Sequence, residues 1–311
     1  MKLQVFIQQY GTEAKCKAAF KSLRDEAGIV CRRCKGEKHY YLSTLDQYKC
    51  AGCGSRQSLR SGTMLEYSKL PYSYWFTAMY LITFTKKGLS SLEIQRQLGH
   101  ARYQPIWEMM HKIRSVMAKR DYQYQLEGQV EVDEGFFEVM APKKPEDGSE
   151  PDPDKKQGVL VMASTKELPV DKRRKGRPAT ACGFVSMSTI EDKRAITIET
   201  KMMSKICRPA KIITDGGSSY VYTELEFGEH QVAEGSTQEK LKMLPWVHIA
   251  ISNAKRKILD VHHSVSKKYL QRYLDEFCYK INRRNALKDP LNALLIQAVR
   301  LKSVPLVRGC G

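Results

Sequence analysis

Two aspartates stand at the ends of strand-like runs, a position from which carboxylates can bind metal ions. Asp133 lies in VEVDEGFF, where apolar and acidic residues alternate with the period of a strand. By this alternation Glu131 shares a face with Asp133, so it either supports the site or is exposed. Asp215 ends the apolar run AKIITD and precedes two glycines. A carboxylate entering a core needs a partner or a metal, and hard oxygen ligands suit Mg²⁺. The pair predicts a divalent-cation site, although either aspartate alone is also typical of a turn.

Four cysteines form two C-x-x-C pairs with fifteen residues between them: Cys31, Cys34, Cys50 and Cys53. Zn²⁺ prefers four soft ligands in a tetrahedron, and each such turn presents two thiolates. The spacing predicts a zinc ribbon over 31–64 with a structural Zn²⁺. The segment between the pairs is expected to form a β-hairpin, with Tyr40, Tyr41 and Tyr48 packed beside the metal. Free or redox-active thiols are the alternative interpretation.

Two helices joined at a glycine are predicted in GLSSLEIQRQLGHARYQPIWEMMHKIRSVM, residues 88–117. Ser90 or Ser91 can cap the first helix, whose apolar positions are Leu92, Ile94 and Leu98, and Gly99 ends it. This arrangement is typical of a helix-turn-helix, in which the second helix enters the major groove of DNA. The residues expected to face DNA stand at the start of the second helix: Arg102, Tyr103 and Gln104. A plain helical hairpin is the alternative.

The chain is strongly basic, with 52 Lys and Arg against 34 Asp and Glu among 311 residues, a net charge of +18. Such an excess favours a polyanionic partner, nucleic acid first and an anionic membrane surface second. The apolar run 74–84 is too short to cross a bilayer, and the N-terminus lacks the pattern of a signal peptide. We therefore expect a cytoplasmic protein, no membrane partner and cysteines that are reduced or metal-bound.

The succession of patterns predicts several regions along the chain. They are a helical lead-in (1–30), the zinc ribbon (31–64), the helix-turn-helix region (67–120), a catalytic domain (129–290) and a C-terminal tail (291–311). Within the catalytic domain, strand-like runs come first, and helices are expected at 237–243, 246–260 and 266–283. Two segments rich in proline, glycine and charge are interpreted as exposed connections, 141–158 and 167–181.

The order of these features resembles that of bacterial insertion-sequence transposases with an RNase H-like DDE domain, and more narrowly the zinc-ribbon transposases of the ISXO type. The resemblance covers about residues 25–290. Its most specific part is the helical pattern at 262–284, with Tyr269, Leu270, Tyr273, Phe277 and Asn282-Arg283-Arg284. It implies an α/β fold, an RNase H-like mixed sheet with flanking helices, preceded by the zinc ribbon and the helix-turn-helix. It also implies that Asp133 and Asp215 are the first two catalytic acids.

The third acid of the family departs from the pattern here. In many relatives a Glu lies on a helix seven residues before a Lys that contacts DNA. Lys255 fits that Lys, but the residue seven positions earlier is His248, and Asn253 lies nearby. Seven residues make two helical turns, so the spacing favours His248 over Asn253 as the third ligand; His248 as an ordinary helix residue stays open. With a neutral ligand in place of Glu, we expect weaker Mg²⁺ binding and relatively better activity with Mn²⁺.

Basic residues near these acids are candidates for contact with DNA phosphates. Lys255, Arg256 and Lys257 form one cluster on the expected catalytic helix. A solvated surface is its alternative. The segment RRKGRP, 173–178, resembles a short minor-groove-binding element or is simply a basic loop.

Together these features predict a DDE-type transposase that binds the terminal inverted repeats of an insertion sequence, cleaves DNA and transfers the strand. Its cofactors would be structural Zn²⁺ and catalytic Mg²⁺ or Mn²⁺. Its partners would be double-stranded DNA and further copies of the chain, since two ends must be joined. A DNA-binding regulator and a catalytically decayed transposase are the competing hypotheses. They differ from an active enzyme in whether Asp133 and Asp215 meet and whether DNA ends are cleaved.

Overall fold

The computed structural model describes residues 1–140, 156–286 and 289–301. The chain divides into two compact units. One consists of Met1–Arg120 with the described part of Leu287–Gly311, and the other is Asp121–Ala286. The expected connection 141–158 falls largely on residues outside the described ranges, as does the end of the expected tail.

The first unit begins with helices and a small sheet. Its elements are α1 (Leu3–Tyr10), α2 (Glu13–Glu26), β1 (His39–Leu42), β2 (Gln47–Cys50), β3 (Arg56–Ser58), α3 (Tyr72–Phe84), α4 (Ser91–Leu98) and α5 (Tyr103–Asp121). The hydroxyl of Ser90 accepts the N–H of Glu93 at 3.1 Å and so caps α4. Gly99 ends this helix in the left-handed region, at φ 62°. Ile94 is buried as expected, but Leu92 is exposed.

The second unit alternates strands and helices. Its elements are β4 (Leu126–Glu138), β5 (Lys156–Glu167), β6 (Thr180–Ile190), α6 (Ala195–Met203), β7 (Ile206–Thr214), α7 (Thr223–Phe227), β8 (Gly228–Val232), α8 (Thr237–Met243), α9 (Pro245–His262) and α10 (Lys267–Ala286). The sheet order is β6-β5-β4-β7-β8. β4, β5 and β6 pair antiparallel, whereas β4, β7 and β8 pair parallel. This mixed sheet with flanking helices confirms the predicted fold class.

Each face of this sheet buries its own apolar cluster, because successive side chains of a strand point to opposite faces. On one face, Val130 and Val132 pack with residues of α6 and α7, such as Ile198. On the other face, Phe137 packs with residues of α9 and α10, such as Leu270. The two acidic positions of the VEVD run therefore point toward the α9 side.

The helical pattern 262–284 that carries the family resemblance serves to pack α10 on the sheet. Leu270 and Phe277 lie in the α9-side cluster. Asn282 is buried. Its carboxamide accepts the N–H of Val185 at 2.8 Å and donates to the carbonyl of Val185 at 2.9 Å. It thereby satisfies backbone groups of β6 that would otherwise be costly to bury.

The last described segment is a helix rather than an irregular tail. This helix, α11 (Pro290–Arg300), belongs to the first unit. Its apolar residues Leu291, Leu294 and Leu295 recur at helical spacing and are all buried. The guanidinium of Arg24 in α2 donates to the carbonyl of Val299 at 3.2 Å. Local sequence patterns do not predict this packing, because the partner elements precede α11 by more than two hundred residues.

Candidate active site and zinc centre

Asp133 and Asp215 are brought to the same level of the sheet by two adjacent parallel strands. β4 and β7 pair with Glu131 opposite Ile213, and the two aspartates follow two residues later on their own segments. Neighbouring strands lie about 4.8 Å apart. Because paired residues of adjacent strands share a face, both carboxylates are on the side of α9.

Backbone N–H groups orient one oxygen of each carboxylate. Asp133 Oδ1 accepts the N–H of Glu134 at 2.7 Å. Asp215 Oδ1 accepts the N–H of Gly217 at 3.1 Å. Burial and, to a smaller extent, the negative charge of Asp215 raise the pKa of Asp133 to about 6, against the N–H of Glu134, which favours the charged form. A cation between the two carboxylates would offset both effects on Asp133.

His248 lies beside Asp133, with its Nδ1 3.6 Å from Asp133 Oδ2. Burial lowers the pKa of the imidazole, against the opposing charge of Asp215, which favours the neutral form that binds metals. Asn253 is five residues further along α9, roughly 140° around the helix at 3.6 residues per turn. It is exposed and lines a groove beside Trp246 and Ile249. The structure thus brings His248 to the two aspartates and places Asn253 on another side of α9.

The four cysteines come together as the spacing predicts. Their Sγ atoms all lie within 4.8 Å of one another. The Cys31–Cys53 and Cys34–Cys50 sulfur distances are 3.6 and 3.5 Å, close to the roughly 3.8 Å edge of a tetrahedron with 2.3 Å Zn–S bonds. Backbone N–H groups, first that of Cys34, lower the pKa of Cys31 to about 6. That of Cys53 lowers the pKa of Cys50. These thiolates fit a structural Zn²⁺.

The expected hairpin between the cysteine pairs is present, with Leu42 opposite Gln47. Tyr48 is buried, and its ring lies 5.0 Å from that of Tyr41. Tyr40 differs from the expectation, because its side chain is 66% exposed. Alternation along β1 accounts for this: Tyr40 and Tyr41 are neighbours on a strand and must point to opposite faces.

Comparison with protein families gives a match for each of two segments of the chain. Residues 125–282, just over half of the 311 residues, match an ISXO2-like transposase domain. The chain belongs to this transposase family. Residues 11–56 match a transposase zinc-ribbon domain. No curated protein matches the chain.

In this transposase, Glu131 occupies a place that the sequence left open between exposure and support of the site. Its side chain is 1% exposed. One oxygen, Oε2, accepts the N–H groups of Trp246 and Val247 at 2.7 and 3.0 Å, so it caps the N-terminus of α9, the helix that carries His248. Burial raises the pKa of Glu131 to about 7, although both N–H groups favour the charged form. The alternative of an exposed Glu131 is wrong.

Glu134 and Tyr220 form a second connection, which the sequence interpretation missed. The Tyr220 hydroxyl donates to Glu134 Oε1 at 2.6 Å, and Lys193 Nζ lies 3.0 Å from Glu134 Oε2. Tyr220 is buried. Since Glu134 follows Asp133, and Tyr220 ends the turn that begins at Asp215, this hydrogen bond ties together the backbones carrying both aspartates. The available signal was strand alternation, which puts Glu134 on the face opposite Asp133.

The three basic residues on α9 are not equivalent. Lys255 is exposed on the same side of the helix as His248, and its Nζ lies 5.7 Å from the centre of the Phe137 ring. Arg256 is also exposed. Lys257 instead pairs with Glu276 at 2.8 Å, with side chains only 13% and 1% exposed. Lys257 therefore fastens α9 to α10, and its position does not support contact with DNA.

The residues expected to face DNA in the first unit are at the surface. Arg102 directly precedes α5, and Tyr103 and Gln104 begin it. All three are exposed. Further along, α5 is buried through residues such as Ile106 and Met110. The start of α5 is thus the part of this helix free to meet a partner.

The donors of the candidate active site suit a hard divalent cation but are not gathered tightly. Among the described residues, only the four cysteines form a group of three or more ligand atoms within 4.8 Å of one another. Asp133, Asp215 and His248 offer two carboxylates and an imidazole, ligands that Mg²⁺ or Mn²⁺ accepts. Within the same described ranges, no helix is long and apolar enough to cross a membrane.

Proposed function

We propose that this member of the transposase family binds the inverted repeats at the ends of an insertion sequence, cleaves DNA there and transfers the freed strand to a target. The observation that carries the catalytic part is that Asp133 of β4 and Asp215, which follows β7, lie on the side of α9, where His248 Nδ1 is 3.6 Å from Asp133 Oδ2. These three residues would hold the catalytic cation.

The reaction consists of two displacements at phosphorus. Water attacks the phosphodiester at the element end, the bond from phosphorus to the 3′ oxygen breaks, and a 3′-hydroxyl is released. This hydroxyl then attacks a phosphodiester of the target DNA, a new phosphorus–oxygen bond forms, and a target 3′-hydroxyl leaves. Bound Mg²⁺ or Mn²⁺ would supply Lewis-acid stabilisation of the attacking and leaving oxygens.

The DNA-binding part of the proposal rests on exposed basic and polar groups. Arg102 directly precedes α5, and Tyr103 and Gln104 begin it; the start of the second helix is the part of a helix-turn-helix that reads the major groove. Lys255 and Arg256 lie exposed on α9 and would contact end phosphates. The transposase would act as two or more copies, because two ends have to be joined.

Cleavage of the element's own ends by purified protein tests the catalytic assignment. We expect Asp133→Asn and Asp215→Asn to abolish cleavage in Mg²⁺ and in Mn²⁺ while end binding persists. His248→Ala should reduce cleavage by one to two orders of magnitude, because the cation loses a ligand. Losses of this size are typical when a group that supports a metal site is removed. Ser252→Ala, exposed on the same helix and outside the groove that Asn253 lines, is the matched control, and Asn253→Ala tests the other candidate ligand.

The outcomes separate the competing hypotheses. Equal losses from His248→Ala and Ser252→Ala would remove His248 from the metal site. End binding by the wild type with no cleavage in either metal would indicate a decayed transposase or a regulator. Cleavage that survives both aspartate substitutions would overturn the active site proposed here.

A further inference from the structure

A groove of about 730 Å³ lies along α9, on the side of Ile249 and Asn253. Its other wall is the connection between β5 and β6, which contains the basic segment RRKGRP. The same helix carries His248 about 100° away from Ile249, since each residue turns the helix by that angle. The groove therefore flanks the candidate active site within about one helix diameter, roughly 10 Å.

Within the part of the chain that the structure describes, the wall of the groove carries positive charges without acidic partners. Lys172, Arg174 and Arg177 line it and are exposed. Among the described residues none of the three has an ion-pair partner, and no acidic residue lines the groove. Arg173 differs, because it pairs with Glu167 at 3.7 Å and donates to the carbonyl of Leu168 at 2.8 Å. Arg173 is thus held by contacts within the protein, whereas the other three side chains have no ion-pair partner among the described residues.

The floor of the groove is aromatic and apolar. Trp246 Nε1 donates to the hydroxyl of Thr180 at 2.8 Å, which fixes the indole at the start of α9. Ile249 is exposed into the same groove. Cations above an aromatic and apolar floor are the combination with which proteins hold unpaired nucleic acid, since phosphates meet the charges and bases meet the rings.

The groove is too small to enclose a duplex. Its volume falls within the range of small-molecule pockets, roughly 300–1,000 Å³, which fits one or two nucleotides of a single strand. A minor-groove-binding element would need to project its arginines away from the protein, whereas Arg174 and Arg177 line the groove.

We infer that this groove binds a short stretch of single-stranded DNA next to the cleaved end. The inference rests on the proposed function for its substrate, DNA, and assigns to Lys172, Arg174, Arg177 and the outer side of α9 a strand-holding role distinct from that of His248.

Binding of a fluorescent oligothymidylate of about ten nucleotides, within the usual site size, tests the inference on the full chain. We expect Arg174→Ala/Arg177→Ala to weaken binding by about fivefold or more and to lower the slope of log affinity against log salt by about 1.4, at 0.7 per lost phosphate contact. Lys166→Ala/Lys175→Ala is the matched control. It removes the same charge from exposed positions nearby that do not line the groove. Ile249→Glu, which adds an acid to the floor, should weaken binding to a similar degree.

Thermal unfolding and zinc content of each variant confirm that it is folded. Equal weakening by both double variants would show only a diffuse basic loop and overturn the inference. If Arg174→Ala/Arg177→Ala loses binding to a duplex of the same length but still binds the oligothymidylate as the wild type does, the minor-groove role is favoured and the inference is overturned. Because this assay requires no cleavage, a wild type that fails to cut DNA would contradict the proposed function without deciding the outcome for the groove.

Discussion

At the scale of single residues, the group beside Asp133 on α9 is an imidazole and not a carboxylate. The Nδ1 of His248 lies 3.6 Å from Asp133 Oδ2, so the candidate site offers a cation two carboxylates and a neutral ligand. Imidazole is a better ligand for Mn²⁺ than for Mg²⁺. The identity of this one side chain is therefore expected to set the metal preference.

Replacing His248 by Glu tests this directly. We expect His248→Glu to raise the ratio of cleavage rates in Mg²⁺ and Mn²⁺ by several-fold, because a third carboxylate neutralises the cations and supplies the oxygen that Mg²⁺ prefers. Asn253→Glu adds the same charge to another side of α9 and should leave the ratio unchanged. A ratio that both substitutions shift equally would mean that charge near α9, not ligation, sets the metal preference.

Glu131 is expected to support the site through hydrogen bonds rather than through charge. Glu131→Ala leaves the N–H groups of Trp246 and Val247 without their acceptor, which costs about 2 kcal/mol or more of unfolding free energy. Glu131→Gln keeps one acceptor oxygen for both and should stay within about 1 kcal/mol of the wild type. Chemical denaturation measures both values. We also expect cleavage to recover in the Gln variant relative to Ala. Equal loss of cleavage in the two would show that the negative charge itself is needed.

At the scale of elements, the turn after β7 fixes where Asp215 points. Gly216 has φ 80°, in the region that favours glycine. A Cβ at this position would lie 2.4 Å from Val232 Cγ1 at the end of β8. The neighbouring strand therefore leaves no room for a side chain directly after the aspartate.

Gly216→Ala should shift this turn and the carboxylate before it. We expect a loss of about 2 kcal/mol or more of stability, combining backbone strain and the contact with Val232, and a loss of cleavage larger than the unfolded fraction explains. Gly228→Ala isolates the strain, because Gly228 has φ 95° with nothing within 4 Å of its Cβ position. If both variants lose equal activity at equal stability, the turn does not position Asp215.

The zinc ribbon is a second element whose structure depends on few residues. The sheet of β1, β2 and β3 contains strands of only three or four residues, which need additional stabilisation. We expect Cys50→Ser to lose bound zinc and the cooperative unfolding of this segment, and to weaken binding to element ends. Cys207→Ser, outside the cluster, is the control. Full end binding by a zinc-free protein would separate the ribbon from DNA recognition.

At the scale of the whole molecule, positive charge exceeds negative charge, but some of the acidic side chains are buried. The net charge of +18 suits a polyanion, yet the second unit also contains acids held away from water. Asp275 accepts from the side chain of Gln271 at 2.8 Å. Burial raises its pKa to about 7, while Lys205 and Arg272 favour its charged form and Asp121 disfavours it.

Asp275 should make the stability of this unit depend on pH. A carboxyl with a raised folded-state pKa binds its proton more tightly when folded, so stability is lost as pH rises from about 4 through 7. We compare the unfolding free energy of Asp275→Asn with that of the wild type at pH 5 and at pH 8.5. The difference should shift in favour of Asp275→Asn by on the order of 1–2 kcal/mol at the higher pH, allowing for solvent screening of a half-buried group. Urea unfolding at both values measures this, with exposed Glu127→Gln as control. A difference that is independent of pH would contradict the assignment.

The sequence by itself determined the features that depend on nearby residues. Two cysteine pairs define the zinc centre because each pair is one tight turn. Gly99 ends α4 because the left-handed conformation suits it. Spacing along one helix puts His248, and not Asn253, on the side of Lys255, because residues seven apart share a face. It also placed Asp215 directly after a strand, but the expectation that Asp133 ends its strand is wrong, because β4 continues to Glu138. The pairing of β4 with β7 then sets the two aspartates at the same level.

Only the tertiary structure decided the contacts between segments distant in sequence. Glu131 caps a helix 115 residues away. Lys257 forms an ion pair with Glu276 on the next helix. Tyr220 reaches Glu134, and α11 packs into the first unit. Local propensity cannot specify such pairs, because strand register and helix packing decide which polar groups come together. Burial then requires each of these groups to have a hydrogen-bond partner.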